Sequence, residues 1–352
     1  MTQKIFCVGL NGQPGNLEAI LEGFAPHIHE VFAAVPPSLM GSGRAGAMPL
    51  TLEKIAEQVK TAHAAGVGYN ALLNAVSLGG KQFQSEFLAQ FRDFLDFAAA
   101  KEIDGLTIAE PFLIHQAVRF RDSTGAKLNI CVSSLADITD AVSAKRHEEM
   151  GVDRIVLHQN VNRDIPSLRK ILESVSCEIE LYANSGSLYK CPYRQAHRMY
   201  VSHLSTLPPE ALATPDNQNW YKANCIAIRK ANPIEIVMAP TIRPEDVSFY
   251  QQCGIPLFKI SGRAMPTDWL LKILGAYTAR CWGGNVADLC DTNMGKAMPF
   301  VANRSLDGLL HALVRYSGSD YERVCREFLP RDSASIATAL SHDNQHVLQS
   351  HR

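Results

Sequence analysis

The densest chemistry in the chain lies between Asn184 and His203. The run Asn184-Ser185-Gly186-Ser187-Leu188-Tyr189-Lys190-Cys191-Pro192-Tyr193-Arg194-Gln195-Ala196-His197-Arg198 is followed closely by His203. The Cys191-Pro192 step puts a thiol on a rigid turn, where its sulfur can face a metal rather than a core. Lys190, Arg194 and Arg198 concentrate positive charge, which lowers a thiol's pKa and suits an anionic ligand. Cys191, His197, His203 and Cys225 make a candidate Cys2His2 zinc set. The competing reading is a buried cysteine with two helix-surface histidines. His197 and His203, with Glu110 from earlier in the chain, are the candidate proton carriers.

Other motifs carry less. Gly41-Ser42-Gly43-Arg44-Ala45-Gly46 spells GxGxxG after a strand-like run. A dinucleotide fingerprint needs that turn to open a helix directly, with an acid about 20 residues on. Pro49 interrupts and no acid ends the next strand, so the segment reads as a flexible βα loop. His147-Glu148-Glu149-Met150-Gly151 begins like a zincin helix but has Gly where the second imidazole must sit. No GxSxG nucleophile elbow occurs, which weakens a serine-hydrolase reading. Of the nine cysteines, Cys7, Cys131 and Cys177 sit in or beside apolar strands, and no Cys-x-x-Cys pair occurs.

The elements that must position these groups alternate. Strand-like runs at Lys4–Leu10, His29–Pro36, Tyr69–Ala75, Gly105–Glu110, Leu128–Ser134, Arg154–Gln159 and Glu178–Ala183 are separated by amphipathic helical stretches. Phe87, Phe91, Phe94 and Phe97 mark the buried face of one of them. Ile234–Ala239 and Leu257–Ser261 add two more strand candidates, one more than a closed barrel has places for; Ile234–Ala239 is the suspect. Alternating strands and helices imply right-handed βαβ crossovers and a parallel sheet. The expected fold is an α/β, TIM-like (β/α)8 barrel, with a doubly wound sheet as the alternative. In a barrel the chemistry gathers at the C-terminal strand ends, which brings Asn74, Glu110, Ser133, His158, Asn184 and Arg263 to one mouth. Ser185–Pro233, broken by Pro192, Pro208, Pro209 and Pro215, reads as an irregular insertion. The barrel is expected over 1–280 and a helical extension over 281–352, with a Ser/His/Gln-rich end that frays.

Composition narrows the classes. The 352 residues are 46% hydrophobic and 20% charged, and 34 Lys+Arg against 35 Asp+Glu leave a net charge of -1. That balance disfavours a global field for nucleic acid or anionic membrane. No apolar run approaches the roughly 18 residues of a membrane span. Ile5–Leu10 is too short and wrongly flanked for a signal peptide. An odd cysteine count over a long chain is no disulfide framework, and the expected setting is cytoplasmic, with reduced thiols.

Several segments together resemble the collagenase-like peptidase family of unknown catalytic type, numbered thirty-two, over roughly residues 4–280. They are Gly15-Asn16-Leu17-Glu18, Arg44-Ala45-Gly46, Met150-Gly151-Val152-Asp153-Arg154-Ile155-Val156-Leu157, Ile242-Arg243-Pro244-Glu245-Asp246 and Phe258-Lys259-Ile260-Ser261-Gly262-Arg263. The family includes proteins of oxygen-independent ubiquinone hydroxylation and of RNA hydroxylation. The resemblance implies a TIM-like barrel and, in the hydroxylating branches, a [4Fe-4S] cluster held by cysteines. In the most similar branch Cys191 and Cys225 match ligand positions, His197 and His203 match two histidines, and Ser187 stands where the first cysteine would be. Serine is a poor substitute for thiolate on iron; Cys281 or Cys290 would have to complete the set, or zinc or no metal would take the cluster's place.

The expectation is therefore an oxygen-independent, hydroxylase-like redox enzyme acting on a small or peptide-like anionic substrate. Lys190, Arg194, Arg198 and Arg263 would hold the anion, with Asn74, His158 and Asn184 also contacting substrate. Two readings compete with it: a thiol- or metal-dependent peptidase, and a non-catalytic barrel kept for assembly with a protein partner or a second copy. RNA is a less favoured substrate, because Tyr193, Arg194, Arg198 and Tyr200 sit in a chain of neutral balance.

Overall fold

The computed structural model describes residues 3–36, 39, 41–43, 50–207, 219–291, 297–315 and 320–330. Arg44-Ala45-Gly46, Pro49, Pro208, Pro209, Pro215 and the segment from 331 onward lie outside the described residues.

Eight parallel strands close into a barrel in sequence order: β1 (Phe6–Gly9), β2 (Ile28–Ala34), β3 (Gly68–Leu73), β4 (Gly105–Ile108), β5 (Asn129–Val132), β6 (Arg154–Val156), β7 (Glu178–Tyr182) and β8 (Leu257–Ile260). Closure is made by the register Phe6↔Phe258 between β1 and β8. The helices between strands are α1 (Asn16–Phe24), α2 (Leu52–Ala64), α3 (Ser85–Ala100), α4 (Pro111–Thr124), α5 (Ala141–Glu148) and α6 (Ile165–Ser174). After β7 come α7 (Arg194–Leu204), α8 (Trp220–Ala231), α9 (Ile234–Met238) and α10 (Val247–Gln252). After β8 come α11 (Thr267–Ala279), α12 (Leu309–Arg315) and α13 (Tyr321–Glu327). No helix among the described residues is long and apolar enough to cross a membrane.

Local chemistry explains the element ends. Thr51, Asp140 and Asp164 cap α2, α5 and α6 by accepting from backbone N–H groups of the first turn. In α3, Phe87, Phe91 and Phe94 are buried against the sheet and Phe97 is packed at its edge. The surplus strand candidate resolves as a helix: Ile234–Met238 opens on Pro233, which is pre-set for a first helical turn. A short apolar run carries no period that separates strand from helix.

The barrel interior is unusually polar. Arg154 on β6 is 2% exposed, and its guanidinium meets Glu30 Oε1 at 2.8 Å, Glu178 Oε2 at 3.1 Å and Glu180 Oε2 at 3.5 Å. Lys259 Nζ lies 3.5 Å from Glu180 Oε1 and 3.8 Å from the centre of the Phe32 ring. Buried charges persist only when matched; here Glu30 and Glu180 face Arg154 and Lys259, and Glu178 adds a partner at the rim. The ligating atoms of Cys7, Glu30 and Glu180 lie within 4.8 Å of one another, but both carboxylates are already committed to these cations.

Candidate active site at the barrel mouth

A cavity of about 450 Å3 opens at the C-terminal strand ends, between the barrel and the helices that follow β7. Arg194, His197, Arg198 and Val201 recur at helical spacing, so one face of α7 lines it. Tyr221, Lys222, Cys225 and Arg229 do the same for α8. The barrel contributes Tyr182 from the end of β7, and Ser134, Gln159, Ser185, Ser187 and Ala264 from loops after four different strands. The insertion is thus a helical wall of the site.

The guanidinium groups are set by one carboxylate. Asp137 ends the turn after β5 in a left-handed conformation, φ 59°, which a short polar side chain tolerates best after glycine. Its Oδ1 accepts from Arg198 Nη1, lies 3.6 Å from Arg194 Nε and 3.3 Å from His158 Nε2. Arg198 Nη1 also donates to the Leu135 carbonyl at 3.3 Å. Burial pushes the Asp137 carboxyl up from its ordinary value, and the Arg198 guanidinium pulls it back.

His158 belongs to the same cluster. Its Nδ1 accepts from the Asn160 N–H at 3.0 Å, so the neutral ring carries its proton on Nε2, toward Asp137. Burial, and then the Arg198 charge, push its pKa down to about 3. The imidazole is therefore neutral throughout the physiological range and acts on Asp137.

A second histidine is oriented by a cap. Asn219 Oδ1 accepts from the Lys222 N–H at 3.0 Å and caps α8, which turns Nδ2 toward His197 Nε2 at 3.3 Å. His197 Nε2 is then an acceptor, and its neutral tautomer holds the proton on Nδ1. The ring stacks on Tyr221 at 5.6 Å and 24°. Arg229 ties α8 to the loop after β7, donating to the Gly186 carbonyl at 2.9 Å. The stacked Tyr189–Tyr321 pair, 4.1 Å apart, braces that loop on the C-terminal extension.

Cys191 and Cys225 both line the cavity, and of the nine cysteines they alone line it. Burial pushes the Cys191 thiol up, and the Cys225 sulfur adds to the rise. Ser187 lines the cavity with them, its hydroxyl 3.3 Å from that of Ser185. Cys281 is exposed, and Cys290 is buried 3.4 Å from the Thr241 hydroxyl in a small void behind Arg229. Among the described residues no third His, Cys or carboxylate atom stands with these two thiols within 4.8 Å. A four-thiolate cluster does not fit the donors present: two thiols face the cavity, and the Ser187 hydroxyl that lines it with them is a poor ligand for iron.

The other expected site residues are placed as follows. Arg263 is buried, its chain against Gly9 and next to the cavity-lining Ala264. Glu110 does not line the cavity; its Oε2 accepts from the Leu113 N–H at 2.8 Å and caps α4. Asn74 Oδ1 accepts from Gly43 N–H at 2.9 Å, holding the loop after β2. Asn184, fully buried, exchanges two hydrogen bonds with the Ser261 backbone and clamps β7 to β8. His203 is exposed, and Lys190 is exposed with its ammonium over the Tyr189 ring at 5.4 Å. Asp137, Gln159, Asn219 and Arg229 are groups at this site that sequence reasoning missed. Only Asn219, an Asn just before a helix, carried a local signal.

Comparison with known proteins follows the same geometry. The family model for peptidase family U32 matches residues 15–197, from the loop after β1 through His197. An uncharacterized protease of Methanocaldococcus jannaschii is 29% identical over 275 residues, covering 78% of this chain and 79% of that protein. A solved structure of a U32 peptidase superposes with a TM-score of 0.50 at 21% identity, covering 62% of this chain and 83% of that one. The last is a likeness of fold.

Proposed function

The chain belongs to peptidase family U32, and on that premise we propose that it is an enzyme acting at the barrel mouth on a small, anionic, peptide-like substrate. One observation carries the reading: a cavity of about 450 Å3 with two guanidinium groups held against a single carboxylate at its wall. That volume suits a small ligand. Two cations share Asp137, so the cluster has net positive charge to offer an entering anion, and planar guanidinium groups bind carboxylates by paired hydrogen bonds. Arg194 and Arg198 hold the anionic end. His197 lines the cavity beside them with its ring oriented by Asn219, and the Cys191–Cys225 thiols flank the reacting part.

The test is a binding series by calorimetry. N-acetyl dipeptides with a free C-terminal carboxylate are expected to bind at least about tenfold tighter than their C-terminal amides, the loss of a charge-assisted hydrogen bond. Equal binding of acids and amides, or no binding of either, would reject the reading.

A redox reading, that of an oxygen-independent hydroxylase, is favoured by Cys191 and Cys225 sharing one cavity. A cluster there would be held by these two thiols, and the donor set falls short of it. Anaerobic purification with iron, sulfide and zinc analysis separates the two readings. The donor set leads us to expect well under four irons and four sulfides per chain; a full complement of both would move the function to redox chemistry.

A further inference from the structure

Gln159 is a polar side chain at this mouth whose carbonyl oxygen has no hydrogen-bond partner among the described residues. It follows β6, is 3% exposed and lines the cavity. That oxygen, Oε1, is itself buried. Buried carboxamide oxygens are nearly always paired, because an unpaired one forfeits its hydration with no return. A second group of the same cavity shares the condition: Arg194 Nε is buried without a hydrogen bond among the described residues, 3.6 Å from Asp137 Oδ1. Arg194 answers to an anion. Gln159 answers to a neutral group with a donor.

Resting on the reading above, we infer that Gln159 is a specificity-determining residue that reads a peptide group of the substrate, so that the ligand carries a –CO–NH– unit together with its carboxylate. The N–H and C=O of a trans peptide point in opposite directions, so the match is single: the Gln159 carbonyl oxygen accepts from the substrate's peptide N–H. Two sets of polar neighbours already have partners. Ser185 and Ser187 face each other across 3.3 Å. The Asn219 amide is spent on the α8 cap and His197.

The experiment extends the N-acetyl dipeptide series with depsipeptides, in which the peptide N–H is replaced by an ester oxygen while the carboxylate stays. On the wild-type chain the peptide is expected to bind at least about tenfold tighter than its ester, since the ester sets a lone pair against Gln159 Oε1. In Gln159→Met that discrimination should fall to within about twofold, while the preference for acid over amide persists. Peptide and ester binding equally to the wild type, with the acid preference intact, would overturn the Gln159 assignment and leave the anion reading standing. Loss of the acid preference in the wild type would overturn that reading and this inference with it. The peptide–ester comparison on the wild type needs no folded variant. Retained discrimination in a folded Gln159→Met would move the role to another residue.

Discussion

Replacing Arg198 with glutamine is expected to weaken binding of the carboxylate-bearing ligand by two to three orders of magnitude, about 3–4 kcal/mol. Arg198 is one of the two arginines on the cavity face of α7, and its side chain is 11% exposed, so its charge acts with little solvent screening. Removal also leaves Asp137 with only Arg194 at 3.6 Å and the neutral His158, so the site loses its positive surplus as well as a hydrogen-bond donor. Two signatures identify the cause. The preference for acid over amide should shrink, because one of the two guanidinium groups that tell them apart is gone. Arg198→Lys should recover part of the affinity, since it restores charge without the planar fork. Calorimetry on the variants reads both. An Arg198→Gln chain that keeps the full acid preference would remove the guanidinium cluster from the function.

The barrel was legible because its signal is repeated. The first six strand-like runs are each followed by a helix, and one ambiguous run, Ile234–Ala239, did not disturb the order. The helical face of the site was not legible: Ser185–Pro233 read as an irregular insertion, although Arg194, His197 and Arg198 lie three and four positions apart and share one side of α7. What spacing along one element cannot show is which distant loop sets those groups. Asp137 is an ordinary turn residue in sequence, and its role comes from the left-handed backbone that aims it across the mouth. Gln159 is uncharged and sits beside a more conspicuous histidine. The strand-end polar residues divide for a related reason. Glu110 precedes Pro111, the mark of a helix start, and its carboxylate is used there; Asn74 and Asn184 satisfy backbone N–H groups of neighbouring loops. Reaching the mouth is a property of the strand end. Facing the cavity depends on what the backbone next to it demands.

His158 couples this site to the stability of the whole chain, and acid should expose the coupling. Its folded pKa of about 3 lies below the ordinary 6.5 of the unfolded chain. Between those values the unfolded chain takes up a proton that the folded chain refuses, so stability falls as pH drops. Full stability is present above about pH 6.5 and is lost toward pH 3 at roughly 1.4 kcal/mol per unit, up to about 5 kcal/mol. Asp137 acts in the opposite sense, since its folded pKa is raised above 3.8: it favours the folded state increasingly as pH falls through its folded pKa, which flattens the acid end of the curve. The effect of His158 is therefore read as a difference between variants, over about pH 4.5–6.5. Urea unfolding of the wild type and of His158→Gln across that window should give curves that diverge by about 2–3 kcal/mol, the wild type losing stability faster. The other titrating groups cancel in the difference. In Arg198→Gln the divergence should shrink, because one of the two causes of the depressed pKa has been removed. Parallel curves for wild type and His158→Gln would mean that His158 takes its proton in the folded chain. Arg198 would then be confronted by an imidazolium, and the mouth would carry a different charge from the one argued for substrate binding.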